Sequence, residues 1–179
     1  MNESTLTSWA TDEWPAYEPD EILPGLFQGG THDHEVIGFP TPVGHYDRMS
    51  HQVDSANHVF PFDLVVTLYA DAQPAPWGVQ ETRFGFPDGS LEPHDIKRVV
   101  AIAADTHRHW QSGSSVLIRC PAGVNRSGLV TALILIIEGI EPAEAIELIR
   151  TKRSSVVLSN AHFENWLLKH ATDQLATSN

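Results

Sequence analysis

The chain has 179 residues, an ordinary apolar content of 41% and a strongly acidic balance with a formal net charge of −12. This length fits one domain that is large enough to bury a proper core. Residues 1–95 carry sixteen acidic and two basic side chains, whereas residues 96–179 carry seven acidic and nine basic ones. A polyanion would be repelled by this balance, so we expect no nucleic-acid partner.

A single cysteine, Cys120, excludes an internal disulfide and fits a reducing compartment. The first twenty residues are acidic and lack the apolar segment of a signal peptide. The longest apolar run, residues 129–137, is far shorter than the ~20 residues needed to span a bilayer. We therefore expect a cytoplasmic protein that has no membrane partner, and no feature of the sequence indicates an oligomeric state.

The first third of the chain contains little regular pattern. Residues 1–20 are expected to form an N-terminal arm, and a Pro-Gly turn at residues 24–25 precedes a short strand at residues 26–28. Residues 31–60 form an irregular stretch rich in His and Asp, whose spacings match no compact metal-ligand pattern. We expect no metal there and interpret the stretch as a polar loop, long enough to be a lid or a substrate rim.

The remaining pattern alternates strands and helices. Strands are predicted at residues 62–68, 79–86 and 115–118, and helices at residues 93–110 and 128–137, from Pro142 onward and from the capping residue Asn160 onward. This order predicts an α/β fold with a central, mostly parallel sheet flanked by helices. We expect one domain over residues 21–170 and a frayed tail over residues 171–179.

The most informative stretch is residues 116–129, an apolar strand followed by a tight loop and an apolar helix. Five residues separate Cys120 from Arg126 in this loop. Curled backbone N–H groups and a helix N-terminus both attract anions, and a guanidinium can bind two phosphate oxygens at once. Cations and helix N-termini also favour the thiolate, which is the nucleophilic form of cysteine. The pattern predicts a loop that binds a phosphate while Cys120 attacks it.

Two further side chains complete the predicted chemistry. Ser127 could donate a hydrogen bond to the Cys120 thiolate and assist its departure. Asp88, on a Pro-Asp-Gly turn 32 residues before Cys120, is the candidate general acid. A simple turn residue is the alternative for Asp88, while Glu92 and Asp95 are alternative acids that could instead belong to the next helix. The predicted phosphate-binding residues are Cys120, Pro121, Ala122, Gly123, Val124, Asn125 and Arg126.

At these residues the sequence resembles the cysteine-dependent protein tyrosine phosphatases, most closely the dual-specificity branch. Its motif, His-Cys-x-x-Gly-x-x-Arg-Ser/Thr, is matched by Cys120, Gly123, Arg126 and Ser127. The resemblance extends over residues 21–170, including a Pro-Gly-Leu segment similar to the family's first strand. It implies the phosphatase fold, a general-acid Asp a little over thirty residues before the Cys, and hydrolysis of phosphoric monoesters through a phosphocysteine. It also implies phosphorylated protein substrates and no cofactor.

The sequence departs from the family pattern at two positions. Arg119 replaces the usual His, and it could either add positive potential or pair with an acid; Pro121 lacks a backbone N–H, which removes one possible donor from the loop. Arg153, after the third predicted helix, is expected to form a structural ion pair. The alternative functions are hydrolysis of a phosphoinositide, an RNA 5′-phosphate or another phosphoester, and binding of phosphopeptides without turnover. A sulfur-transfer domain is disfavoured by Arg126-Ser127 and by Asp88.

Overall fold

The computed structural model describes residues 18–31, 61–75 and 78–177. The predicted arm before residue 18 and almost all of the His- and Asp-rich stretch at 31–60 lie outside the described residues. The elements in chain order are β1 (Asp20–Leu23), β2 (Leu26–Gly30), β3 (Leu64–Thr67), β4 (Gln80–Arg83), α1 (Pro93–Gln111), β5 (Val116–Cys120), α2 (Arg126–Ile137), α3 (Pro142–Lys152) and α4 (Ala161–Thr177).

The five strands form one sheet in the order β1-β2-β5-β3-β4. The β1–β2 hairpin is antiparallel, and every other neighbouring pair is parallel, which confirms the predicted mostly parallel sheet. Strand β5 lies in the centre, where Cys120 is paired with Gly30 of β2 and Arg119 with Thr67 of β3. The carboxyl end of β5 therefore places Cys120 at the middle of one edge of the sheet, the usual position of ligand sites in open α/β sheets.

Helix α2 follows this strand and forms the centre of the core. Its residues 127–136 are all buried, so its apolar residues are distributed around the whole helix rather than along one face. It contacts α1, α3, α4 and β5. The apolar run that was predicted to be a buried helix is therefore confirmed as one. Among the described residues, no helix is long and apolar enough to cross a membrane.

The structure differs from the predicted boundaries of the N-terminal arm and of the C-terminal tail. Strand β1 begins at Asp20, so the sheet includes the last residue of the predicted arm. Helix α4 continues to Thr177, so residues 171–177 are helical rather than a frayed tail. The reason is an apolar face that continues at helical spacing beyond Leu167, because Ala171 is fully buried and Leu175 packs against the core.

Candidate active site

The loop between β5 and α2 is held from behind by two buried polar side chains. The carbonyl oxygen of Gly123 accepts hydrogen bonds from Arg153 Nε at 2.6 Å and from Gln28 Nε2 at 3.0 Å. No described peptide bond is cis, so the N–H of Val124 points in the direction opposite to that carbonyl. At this peptide, the donor end therefore faces away from Arg153, as a loop that binds an anion requires.

Glycine at position 123 is required by both conformation and space. Its φ is +65°, in the left-handed region that other residues rarely adopt. A Cβ atom there would also collide with the backbone of Gly29 and the guanidinium of Arg153. The glycine of the motif thus allows the loop to pack directly against β2.

The structure brings the predicted nucleophile and its predicted hydrogen-bond donor together. Cys120 is only 2% exposed, and Ser127 is fully buried in the first turn of α2. The distance from Cys120 Sγ to Ser127 Oγ is 3.3 Å. The Ser127 hydroxyl is therefore close enough to donate a hydrogen bond to a thiolate.

Arg126 presents an unsatisfied donor beside the same loop. Its Nη1 donates to the carbonyl oxygen of Phe86 at 3.2 Å, and its guanidinium lies 5.5 Å from the centre of the Tyr69 ring. Its Nε is buried and has no hydrogen-bond partner among the residues that the structure describes. Leaving a buried donor unpaired costs free energy, so a phosphate oxygen bound here would satisfy a group that the protein leaves unsatisfied.

Asp88 lies on the loop between β4 and α1 and is hydrogen-bonded to residues 120–126, the predicted phosphate loop. Its two carboxylate oxygens accept hydrogen bonds from Asn125 Nδ2 at 3.2 Å and from Asn160 Nδ2 at 2.8 Å. The alternative acids belong to the start of α1, where the Asp95 carboxylate accepts from the backbone N–H of Glu92 at 3.3 Å. Of the candidate acids, Asp88 is the one bonded to the phosphate loop.

Of the two roles predicted for Arg119, adding positive potential or pairing with an acid, the structure shows the second. Its guanidinium lies 3.3 Å from Glu81 Oε1 and also donates to Thr67 Oγ1 at 2.9 Å. Burial on its own raises the pKa of Glu81. The Thr67 hydroxyl, the Ala75 N–H and the guanidinium groups of Arg83 and Arg119 outweigh that effect and hold the pKa below its usual range.

Arg153 forms the expected ion pair, with Asp20 at 2.8 Å, but it also does more than the sequence indicated. Its side chain is fully buried, and it donates to the carbonyl oxygens of Gly123 and Ala122 in the loop and of Gln28 in β2. Burial lowers the pKa of Arg153, while the charges of Asp20 and Cys120 oppose that effect. The only sequence signal for this residue was a basic side chain at the end of α3.

Comparisons with known proteins agree with this fold. Residues 90–173 match the family model for the dual specificity phosphatase catalytic domain. The chain is 32% identical over 84 residues to the probable protein tyrosine phosphatase type IVA B of Dictyostelium discoideum, a match that covers 46% of this chain and 52% of that protein. The chain thus spans about half the length of this curated relative.

Solved structures share the fold over nearly the whole chain. A mouse putative dual specificity phosphatase, solved in complex with zinc tungstate, has a TM-score of 0.64 at 22% identity and covers 96% of this chain and 97% of its own. The human tyrosine phosphatase-like serine/threonine/tyrosine-interacting protein has a TM-score of 0.66 at 18% identity, covering 89% and 99%. The fold is therefore that of the tyrosine phosphatases. In sequence, residues 90–173 resemble the dual specificity phosphatase catalytic domain, and the fold agrees with that resemblance.

Proposed function

We propose that this protein hydrolyses phosphoric monoesters through a phosphocysteine formed on Cys120. One observation carries the proposal: the buried thiol of Cys120, the unsatisfied Nε of Arg126 and the carboxylate of Asp88 are all attached to the same phosphate loop. A phosphate held by Arg126 would present its phosphorus to the Cys120 thiolate and its ester oxygen to Asp88. No metal is needed, because the loop and Arg126 supply the positive potential.

In the first step the Cys120 thiolate attacks phosphorus, and the bond between phosphorus and the ester oxygen breaks. Arg126 and the loop N–H groups hold the other phosphate oxygens, and Asp88 gives its proton to the leaving oxygen. Most of the rate enhancement comes from positioning and electrostatic stabilisation, as is general for phosphoryl transfer.

In the second step Asp88, now a carboxylate, takes a proton from water as that water attacks the phosphocysteine. The sulfur–phosphorus bond breaks and Cys120 leaves as a thiolate, which Ser127 stabilises through its hydroxyl. The products of the cycle are the alcohol or phenol released in the first step and inorganic phosphate, and the enzyme returns to its starting state, so atoms and charges balance.

Phosphorylated proteins are the substrate class that we propose, on phosphotyrosine or on phosphoserine and phosphothreonine. The family match supports protein substrates. The residues between Cys120 and Arg126 include no Lys, which a highly charged phosphoinositide head group would favour, and the net charge of −12 disfavours RNA. We place the enzyme in the cytoplasm, because a nucleophilic thiol must stay reduced to work and the cytoplasm keeps thiols reduced.

The test is hydrolysis of a small aryl phosphate, with a chelator present, by the wild type and the variants Cys120→Ser and Asp88→Asn. We expect turnover by the wild type, none by Cys120→Ser, and a loss of about 10²-fold or more for Asp88→Asn because the general acid is gone. Asp173→Asn, an exposed change on α4, is the matched control and should keep full activity.

Two outcomes would overturn this proposal. A wild type that binds vanadate but hydrolyses no aryl phosphate would support a phosphopeptide-binding module instead. Activity that survives Cys120→Ser would show that another group is the nucleophile.

A further inference from the structure

Two asparagine side chains bracket the carboxylate of Asp88. Asn125 Nδ2 donates to Oδ2 at 3.2 Å, and Asn160 Nδ2 donates to Oδ1 at 2.8 Å. Each carboxylate oxygen thus receives one N–H donor and keeps a lone pair that can carry a proton. The side chain of Asp88 is itself exposed, so these bonds rather than packing fix where its carboxylate lies.

Backbone donors determine the orientation of both carboxamides. Asn125 Oδ1 accepts from the backbone N–H of Asn160 at 3.0 Å, and Asn160 Oδ1 accepts from the backbone N–H of His162 at 3.0 Å. A backbone N–H can only donate, so a flip of either carboxamide would lose that bond and turn an amide oxygen toward the carboxylate. Both NH₂ groups must therefore face Asp88.

The bracket joins two other segments to the acid loop. Asn125 directly precedes Arg126, and Asn160 caps α4. Asn160 Nδ2 also donates to the carbonyl oxygen of Gly89 at 3.2 Å, so the acid loop is held by its backbone as well as by the Asp88 side chain. All the hydrogen bonds of this link join groups of the protein itself.

We infer that Asn125, itself held by Asn160, is a positioning residue that fixes Asp88 beside the phosphate loop before substrate binds. This inference rests on the proposed function, since it concerns the proton that Asp88 gives to the leaving oxygen. Asn125 directly precedes Arg126 in the loop and donates to the acid, so the protein's own hydrogen bonds hold the acid beside the loop. The binding free energy of the substrate is then not spent on ordering that loop.

Leaving-group dependence separates this role from a merely structural one. A positioned acid matters most when the leaving oxygen is strongly basic and matters least when it leaves easily. The experiment measures kcat/KM for a series of aryl phosphates of increasing phenol pKa. Asn125→Ala removes the link, and Asn160→Ser removes the second donor but keeps a good capping residue on α4.

We expect the kcat/KM of the wild type to depend weakly on the pKa of the leaving group. The kcat/KM of Asp88→Asn should depend steeply on it. The leaving-group dependence of Asn125→Ala and Asn160→Ser should resemble that of Asp88→Asn. We expect kcat/KM to fall by about tenfold or more for the poorest leaving groups and to change little for the best. In an Asp88→Asn background, Asn125→Ala should cause no further loss, because there is no acid left to position. Asn165→Ala, an exposed change on α4, should match the wild type.

Equal losses by the asparagine variants for every leaving group would overturn the inference and leave the proposed function standing, as would a wild type whose dependence is already steep. A wild type that hydrolyses none of the series overturns the proposed function and this inference together. Thermal melting of each variant shows whether any loss comes from unfolding.

Discussion

The shape of the phosphate loop depends on Arg153, a residue thirty positions away in the sequence. Its guanidinium is fully buried and joins Asp20 of β1, the carbonyl of Gln28 in β2 and the loop carbonyls of Ala122 and Gly123. Hydrogen bonds to a charged group are among the stronger ones in proteins, and their loss leaves buried carbonyls unpaired. Arg153 therefore links the stability of the fold to the geometry of the site.

We predict that Arg153→Met lowers the free energy of unfolding by about 3 kcal/mol, because the carbonyl oxygens of Gly123, Gln28 and Ala122 lose a charged donor. It should also reduce kcat, because the loop loses its support. Urea unfolding and aryl phosphate hydrolysis measure the two effects. Arg108→Met is the matched control, because its pair with Asp105 is exposed and should contribute at most about 1 kcal/mol. A similar stability loss in both variants would contradict this account.

Single residues also show what sequence can and cannot predict about a site. Cys120, Arg126 and Ser127 are recognisable because their chemistry depends on fixed spacing within one loop. The bonds from Asn125 and Asn160 to Asp88 join positions that are far apart in the sequence, and their existence depends on side-chain orientation. No periodicity or spacing encodes such a bond, so these hydrogen bonds could be found only from the structure.

At the scale of elements, Arg119 connects three parallel strands. It extends from β5 to Thr67 of β3 and to Glu81 of β4, and Thr67 Oγ1 also donates to Glu81 Oε1 at 2.5 Å. This replaces the His of the family motif with a cross-strand network. Strands β2 to β5 and their mostly parallel arrangement were predictable from short strands alternating with helices, whereas β1 was not predicted. The network was not, because it depends on the register of β3 against β4 and β5.

The lowered pKa of Glu81 makes this network sensitive to pH. A carboxyl whose pKa is lower in the folded state contributes stability above its unfolded value, 4.5, and loses that contribution as the pH falls through the folded value. We predict that Glu81→Gln lowers the free energy of unfolding near neutral pH. The difference in this free energy between the variant and the wild type should narrow below pH 4.5. Urea unfolding between neutral pH and pH values below 4.5 measures this difference, and Glu144→Gln, an exposed change, is the control. A gap that widens at low pH would contradict the assignment.

At the scale of the whole molecule, the net charge of −12 is concentrated in the first half of the sequence. Such a field repels anionic substrates and attracts cationic ones, and salt screens both effects over about 10 Å at 0.1 M. The phosphate loop belongs to the nearly neutral second half. The surface charge should therefore alter encounter rates more than it alters the chemistry.

We predict that raising the salt concentration increases kcat/KM for a phosphopeptide rich in Asp and Glu and decreases it for one rich in Lys and Arg. The reason is that screening weakens repulsion in the first case and attraction in the second. A neutral phosphopeptide of the same length is the control. Identical salt responses of the acidic and basic peptides would show that the acidic surface serves solubility and does not affect substrate encounter.

The most direct test of the central claim is to trap the phosphorylated enzyme by rapid acid quenching during turnover of an aryl phosphate and to locate the phosphate by peptide mass spectrometry. We expect phosphate on Cys120. We also expect more of the phosphorylated enzyme in Ser127→Ala, because the thiolate then leaves without help from the hydroxyl. Turnover without any phosphate on Cys120, or phosphate found on another residue instead, would contradict the account.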